Sequence, residues 1–311
     1  YIAVVKDGAG IGRTMLLPAY SSVIGTMQYI LPIDYESIDL QYLYYAIVHM
    51  DLGKYFSGAT IPHIYFKDYK KEKLFLPEIC EQQRISLLLK QVDLMIEKQN
   101  NQVELVDKLV QSRFVEMFGN PVLNEKGWRT KPLLDMGNCK NGMNFHYDDC
   151  GVEINCLGVG DFKDLSVIDD TKQLPTVSLN EMPSEEYLLK DNDIVFVRSN
   201  GNKELVGRSI AVYPGNVATT FSGFCIRYRK YDDEVIIPYL LRVLKTDSIR
   251  RKMAGRGANI QNLNQQILGT LIVPIPPLEL QNRFADFVQQ VDKSKLSDLL
   301  PWKNYSHYLI A

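Results

Sequence analysis

One unit occurs twice in this 311-residue chain, and the duplication constrains its fold more than any other feature. Gly12-Arg13 recurs as Gly207-Arg208 at an offset of 195, Ser21-Ser22 with Gly25 as Thr219-Thr220 with Gly223 at 198, and Tyr42-Leu43 as Tyr239-Leu240 at 197. The offset then settles at 199. There Gly58-Ala59-Thr60-Ile61-Pro62 answers Gly257-Ala258-Asn259-Ile260-Gln261, Pro77 answers Pro276, Gln82 with Arg84 answers Gln281 with Arg283, and Val92-Asp93 answers Val291-Asp292. A period near 200 residues is too long for a solenoid, so the expectation is a duplicated domain plus its connector. On this alignment Tyr1 faces Phe196, and the first copy lacks an equivalent of everything from about Gly119 to Val195. With Tyr1 in the place of Met, the chain is expected to begin part-way through a gene product.

The connector carries its own pattern. From Ile79 to Phe118 there is no Pro or Gly, and apolar residues fall at Ile85, Leu89, Val92, Ile96, Val103, Val106, Val110 and Met117, the four-three spacing of a heptad seam. Gln99 and Arg113 interrupt that seam, as residues that fix register or partner do. The spacing predicts one helix, about 60 Å long at 1.5 Å per residue. Leu280, Phe284, Phe287 and Val291 open a second stripe of the same kind, expected to end at Pro301. Two such stripes suit an antiparallel coiled coil holding two domains apart; packing of each helix on its own domain is the alternative, and ~60 Å exceeds a small domain's diameter.

Within the copies, strands are predicted at Ile2 to Lys6, Thr14 to Leu17, Met27 to Leu31 and Lys73 to Leu76, and again at Asp193 to Arg198, Ser209 to Tyr213, Ser222 to Tyr228 and Gly269 to Val273. Helices are predicted at Leu40 to Leu52 and Pro238 to Lys245. Gly8-Ala9-Gly10-Ile11-Gly12 lacks the Gly-x-Gly-x-x-Gly spacing of a nucleotide loop and reads as a tight turn between strands.

Charge is unevenly placed. From Asn144 to Asn192 eleven Asp/Glu stand against three Lys, a net of −8, whereas from Asp193 to Asn262 twelve Lys/Arg stand against six Asp/Glu, a net of +6. A basic stretch of this kind suits a polyanionic partner, the alternative being an ordinary solvated surface. Its loops hold Arg198, Ser199, Asn200, Asn202 and Lys203, then Arg250 and Arg251, then Arg256, Asn259, Gln261 and Asn262, with glycines between them. Arg pairs with guanine and Asn or Gln with adenine, while Lys and Ser serve phosphates, so these eleven are the candidate DNA-binding residues. The Asn and Gly among them equally suit plain turn chemistry.

Signatures of catalysis are sparse. No Gly-x-Ser-x-Gly elbow occurs, Asn120-Pro121-Val122 lacks the Asn-Pro-Pro-aromatic motif of adenine methyltransferases, and Asp148-Asp149 and Asp169-Asp170 read as solvated loop acids. Cys80, Cys139, Cys150, Cys156 and Cys225 form no Cys-x-x-Cys pair, and four scattered histidines form no His-x-x-x-His, so neither disulfide framework nor zinc site is expected. A reducing, cytoplasmic setting fits best, and no apolar run approaches the roughly 18 residues of a membrane span.

Several of these features together resemble the DNA specificity subunit of Type I restriction-modification systems: the duplicated domain, the helix opening from Pro77 through Gln82-Gln83-Arg84-Ile85, its partner Pro277-Leu278-Glu279-Leu280-Gln281-Asn282-Arg283-Phe284, the ending Phe118-Gly119-Asn120-Pro121, and Lys126-Gly127-Trp128. The likeness covers about Tyr1 to Lys295. It implies an α+β fold of two target recognition domains joined by spacer helices, each domain reading one half of a split DNA site. The spacer helices would bind methyltransferase subunits and, through them, restriction subunits. Such a subunit is non-catalytic and carries no cofactor; S-adenosylmethionine and ATP belong to its partners. The expected domains are 1–77 (first recognition domain, C-terminal part), 78–118 (central spacer helix), 119–277 (second recognition domain), 278–300 (a shortened second spacer) and 301–311 (a divergent tail). Ile85, Leu89, Val92, Ile96, Val103, Val106 and Val110 are the expected partner-binding positions. Alternatives are the recognition end of a fused restriction-methylation enzyme, or a remnant that only dimerises; a homodimer is expected when partners are absent.

Overall fold

The structure, a computed structural model, describes residues 1–8, 10–58, 62–145, 150–162, 166–254 and 262–303, without the side chains of 254 and 294–303. Contacts divide it into two compact units, one of Tyr1–Leu105 together with the chain from Leu299 onward, and one of Val106–Asp298.

In unit 1, β1 (Ile2–Val5) lies between β2 (Thr14–Leu16) and β3 (Met27–Ile30), antiparallel to both. Ile2 and Val4 meet Leu43 and Ile47 of α1 (Leu40–His49), whose N-terminus is capped by the Asp39 carboxylate accepting from the Tyr42 N–H. The predicted helix to Leu52 stops early because Asp51 takes a left-handed conformation, φ +47°, and a separate turn follows at Leu52–Tyr55. After α2 (Phe66–Tyr69) comes α3 (Ile79–Phe118), a continuous helix of 40 residues.

Unit 2 repeats this plan and extends it. It contains β4 (Arg129–Pro132), β5 (Gly137–Asn141), β6 (Val152–Leu157), β7 (Val167–Ile168), β8 (Thr176–Leu179), β9 (Asp193–Val197), β10 (Ser209–Val212), β11 (Thr219–Phe221), β12 (Cys225–Lys230), α4 (Ile237–Lys245), α5 (Asp247–Ala254), α6 (Gln265–Gly269), β13 (Ile272–Ile275) and, as far as Asp298, α7 (Leu278–Lys303). The strands order as β5-β12-β9-β10-β7, β11-β6-β8 and β13-β4.

Hydrogen bonds fix the register of the repeat. The Gly12 N–H donates to Val5 O and the Val5 N–H to Arg13 O; likewise the Gly207 N–H donates to Val197 O and the Val197 N–H to Arg208 O. Val5 is therefore the counterpart of Val197, an offset of 192, and Tyr1 answers Asp193 rather than Phe196. The first inter-strand loop is three residues shorter in unit 1, which sequence identity at Gly-Arg alone conceals. Gly12 and Gly207 both take positive φ, +82° and +77°, and a Cβ at Gly12 would stand 2.4 Å from the Gly53 nitrogen. Hence the Gly-Arg pair recurs.

The strongest shared device is a buried glutamine. Gln82 Oε1 accepts from the Asp39 N–H while its Nε2 donates to Ser37 O and Pro77 O; Gln281 Oε1 accepts from the Ile236 N–H while its Nε2 donates to Glu234 O and Pro276 O. Both are buried, at 1% and 0% exposure. Each pins the first turn of a long helix to the start of the helix that crosses its sheet, which explains the shared Pro…Gln motif.

The strand expectations differ from the structure in places, each for its own reason. Lys73 to Leu76 forms no strand, although its counterpart β13 pairs with β4; unit 1 has no described equivalent of β4, and Leu74, Phe75 and Leu76 are exposed. A strand is defined by its neighbour, so an apolar run alone does not make one. In unit 2 the final strand begins at Ile272 instead of Gly269, because α6, capped by the Asn264 side chain, occupies Gln265–Gly269. Gly223 and Phe224 turn before β12 starts at Cys225. The α7 helix runs through Pro301 to Lys303, beyond its expected end; a proline that near the terminus costs one backbone hydrogen bond.

Within unit 2 the end of α3 packs on α7. Val110, Phe114 and Phe118 join Phe284, with Met117, Leu280, Phe287, Val288 and Val291 at the margin of the same core. Arg113, the polar residue in the seam, lies over the Phe287 ring and pairs with Glu116.

Candidate nucleic-acid interface

The loop after β9 is clamped from both sides. The Arg198 N–H donates to Phe224 O, the Leu263 N–H donates to Arg198 O, and Ser199 bridges Asn262. Unit 1 has the same clamp: the Lys6 N–H donates to Thr26 O, the Ile64 N–H donates to Lys6 O, and Asp7 bridges His63. The backbone frame is constant while the residues it carries differ: Arg198, Ser199 and Asn262 in unit 2 are answered by Lys6, Asp7 and His63 in unit 1. In unit 1 the His63 Nδ1 pairs with the Asp7 carboxylate and its ring packs on Tyr65, over which Lys67 sits. Sequence reasoning missed this second display because the register at Val5 was out by three.

The predicted residues divide by role. Arg198 folds back so that its Nη1 donates to Gly223 O at 3.0 Å, holding the turn before β12. Asn200 Oδ1 accepts from the Asn202 N–H and Asn202 Oδ1 from the Glu204 N–H, so both asparagines shape the loop by successive side-chain turns. Ser199, Asn200, Gly201, Phe224 and Asn262 with Val159 line an open depression of about 360 Å³. Phe224, 61% exposed at its rim, is an aromatic surface that composition did not reveal; its only sequence signal is its place after Gly223 in a turn. Lys203 is exposed on the same loop. Arg250 is half-buried, its Nη2 donating to Glu204 O at 2.9 Å, whereas Arg251 is exposed. Arg256, Asn259 and Gln261 lie outside the described residues.

The +6 stretch is thus spent unevenly. Arg229 makes two bonds, 2.8 and 2.7 Å, to the fully buried Asp193, and Lys230 pairs with Asp233. Arg227 is buried in the sheet. Arg208, Arg242 and Lys245, absent from the sequence-based candidates, gather beside Arg250. The acidic stretch is used locally: Asp170 caps the turn at Thr171–Gln173, Glu185 pairs with Lys190, and Glu186 with Lys140.

The seam of α3 is its more covered stripe. Ile85, Leu89, Val92, Val103 and Val106 are half-buried and Val110 is buried, while Ile96 is exposed. The other exposed apolar residues lie elsewhere on the helix, at Leu87, Leu88, Leu94, Met95, Leu105, Leu109 and Val115.

All five cysteines are free, and burial pushes the thiols of Cys139, Cys156 and Cys225 up to about 12, so these three stay protonated. Among the described residues no three His, Cys, Asp or Glu come together as a metal site, and no helix is long and apolar enough to cross a membrane.

Comparison with known proteins agrees with this architecture. The chain is similar to the specificity subunit of the Type I restriction enzyme MjaVIII from Methanocaldococcus jannaschii, 22% identical over 316 aligned positions that cover 94% of this chain and 72% of that protein. It is 25% identical over 256 positions to the StySPI specificity subunit of Salmonella potsdam, covering 76% of this chain and 53% of that one. The crystal structure of the S subunit of a Type I restriction-modification system from M. genitalium shares the fold, with a TM-score of 0.54 at 18% identity, over 99% of this chain and 81% of the other. The family model described as Type I restriction modification DNA specificity domain matches residues 2–105 and again 125–299. Both units carry that match, and the chain belongs to this family of Type I specificity domains.

Proposed function

We propose that this chain is the sequence-specificity subunit of a cytoplasmic Type I restriction-modification complex. It is a non-catalytic reader of double-stranded DNA whose two units each address one half of a split target. The observation that carries this reading is the duplicated clamp: an identical backbone frame carries Lys6, Asp7 and His63 in one unit and Ser199 and Asn262, beside the turn-holding Arg198, in the other. A constant frame with different displayed groups is what two readers of different base sequences require. Arg251, exposed on α5 beside the loop that Arg250 holds, would meet the phosphate backbone. Arg251→Ala should weaken duplex binding and lower the slope of log affinity against log salt by about one. An unchanged slope in a salt titration would remove Arg251 from the interface.

The long helix docks the methyltransferase subunit and, through it, the restriction subunit. The covered seam serves the fold, and the outer apolar residues Leu88, Met95 and Leu109 serve the partner, since all three are about half exposed on a helix too long for one domain to cover. Leu88→Asp with Leu109→Asp should abolish co-purification of the methyltransferase subunit at unchanged melting temperature. Val92→Asp with Val106→Asp should instead lower the melting temperature. Loss of the partner only in the second pair would return docking to the seam.

Without partners the chain forms a homodimer. The outer sides of β2 and β3 pair with no described strand, while β10 and β12, their counterparts, are flanked by β7 and β5; Tyr29 and Leu31 are exposed at that edge. Sedimentation should give a concentration-dependent dimer that dissociates when the methyltransferase subunit is added.

A further inference from the structure

Four cations gather where α4, α5 and the residue before β10 come together. Arg242 and Lys245 stand three apart and so share one face of α4, the helix whose Ile237, Tyr239, Leu240, Leu241, Val243 and Leu244 are buried. Arg250 reaches them from α5 and Arg208 from the entry to β10. The described carboxylates that face the group are Asp107 of α3, opposite Arg242 and Lys245, and Asp247, opposite Arg242 and Arg250. Among the described residues four half-buried positive charges therefore face two exposed carboxylates.

Polar contacts leave the group incomplete. Lys245 Nζ donates to Ser166 Oγ at 2.7 Å and Arg250 Nη2 to Glu204 O at 2.9 Å, but Arg242 Nε and Arg250 Nη1 are buried and have no acceptor. A buried donor without an acceptor is costly, and clustered like charges add to that cost. Burial and then the neighbouring cations hold Lys245 down to about 8, and burial lowers Arg242 and Arg250 as well.

The fold itself does not need these charges. Leu43 and Ile47 of α1 answer Leu240 and Leu244 of α4 as buried residues, and on that register Tyr45 and Val48 occupy the places of Arg242 and Lys245. Tyr45 donates to Asp93 at 2.6 Å and Val48 is 47% exposed. The same scaffold is thus built in unit 1 with an aromatic and an aliphatic side chain at those positions.

We infer that Arg208, Arg242, Lys245 and Arg250 form a seat for one backbone phosphate of the duplex that unit 2 reads. This rests on the DNA-reading function proposed above. Arg250 ties the seat to Glu204 in the loop that begins at Arg198, so a phosphate held there would set the loop's register against the bases. Phosphate oxygens take several donors at once, and Arg242 and Arg250 would turn the nitrogens that are buried without an acceptor toward one held there.

The test uses the full chain assembled with its methyltransferase subunit and a labelled duplex of mixed sequence, titrated with salt. Lys245→Ala should reduce affinity several-fold and lower the salt slope by about 0.9, the value for one lost phosphate contact. Lys245→Arg should keep the slope. Because phosphate favours the protonated amine, wild-type affinity should fall as pH rises from about 7 to about 9, and Lys245→Arg, which keeps its charge, should show a flatter profile. Wild type that binds DNA with the same slope and pH profile as both variants overturns the seat alone. Wild type that binds no duplex overturns the DNA-reading function and the seat with it. If Lys245→Ala loses the methyltransferase subunit at an unchanged slope, the cluster serves that protein and the seat is also overturned.

Discussion

Replacing Phe114 by Ala is expected to remove about 3–5 kcal/mol from the stability of unit 2, the range for deleting a fully buried aromatic. Phe114 is 1% exposed, and its ring lies 5.1 Å from Phe118, 5.5 Å from Phe284 and 5.8 Å from Tyr239, centre to centre. Those three residues come from α3, α7 and α4, so one side chain joins the connector, the second long helix and the helix that crosses the sheet. At the usual few degrees per kcal/mol for a unit of this size, the calorimetric transition of unit 2 should fall by roughly 10 °C. Leu109→Ala, on the same helix but 53% exposed, should change stability by no more than about 0.5 kcal/mol. Equal effects of the two substitutions would mean that α3 is not anchored through Phe114.

Removing the buried glutamine should be nearly as severe. Gln281→Ala leaves the Ile236 N–H and the carbonyls of Glu234 and Pro276 without their partner, and at ~1–3 kcal/mol for each buried unsatisfied group the loss should reach at least 3 kcal/mol. Gln82→Ala removes the equivalent three bonds in unit 1. Each change should lower the transition of its own unit and leave the other's in place, and calorimetry on the two variants separates them. A shift of both transitions by either substitution would contradict the division into two compact units.

How much was legible in the sequence follows from what each residue has to do. Gly12 and Gly207 recur because both take a left-handed conformation, which disfavours a side chain. Gln82 and Gln281 recur because only a side chain with both donor and acceptor closes the three-bond tie. The 40-residue α3 was readable because no Pro or Gly interrupts its spacing, and the turn at Gly10–Gly12 because glycines alternate there. Other features depend on partners distant in sequence. Strands β6, β7 and β8 are set by their pairing, with β11, β10 and β6 respectively. Lys73 to Leu76 has the apolar content of a strand without the neighbour that makes one. At the candidate interface, residue type suggested Arg198, Asn200 and Asn202, yet the structure uses their side chains to hold turns. Arg242 and Lys245 escaped notice because they sit in a helix dominated by apolar residues, where only the folded arrangement brings Arg208 and Arg250 beside them.

The central claim is that this chain selects DNA by sequence through two separate readers. It is tested most directly by letting the chain, assembled with its methyltransferase subunit, select duplexes from a randomised pool and sequencing those retained. The account predicts an enriched motif of two short blocks of fixed bases, separated by a spacer of constant length and unspecified sequence. Exchange of residues 125–277 for the matching segment of a specificity subunit with another target should then change one block and leave the other. A pool retained without enrichment, or one in which both blocks change with that exchange, would contradict it.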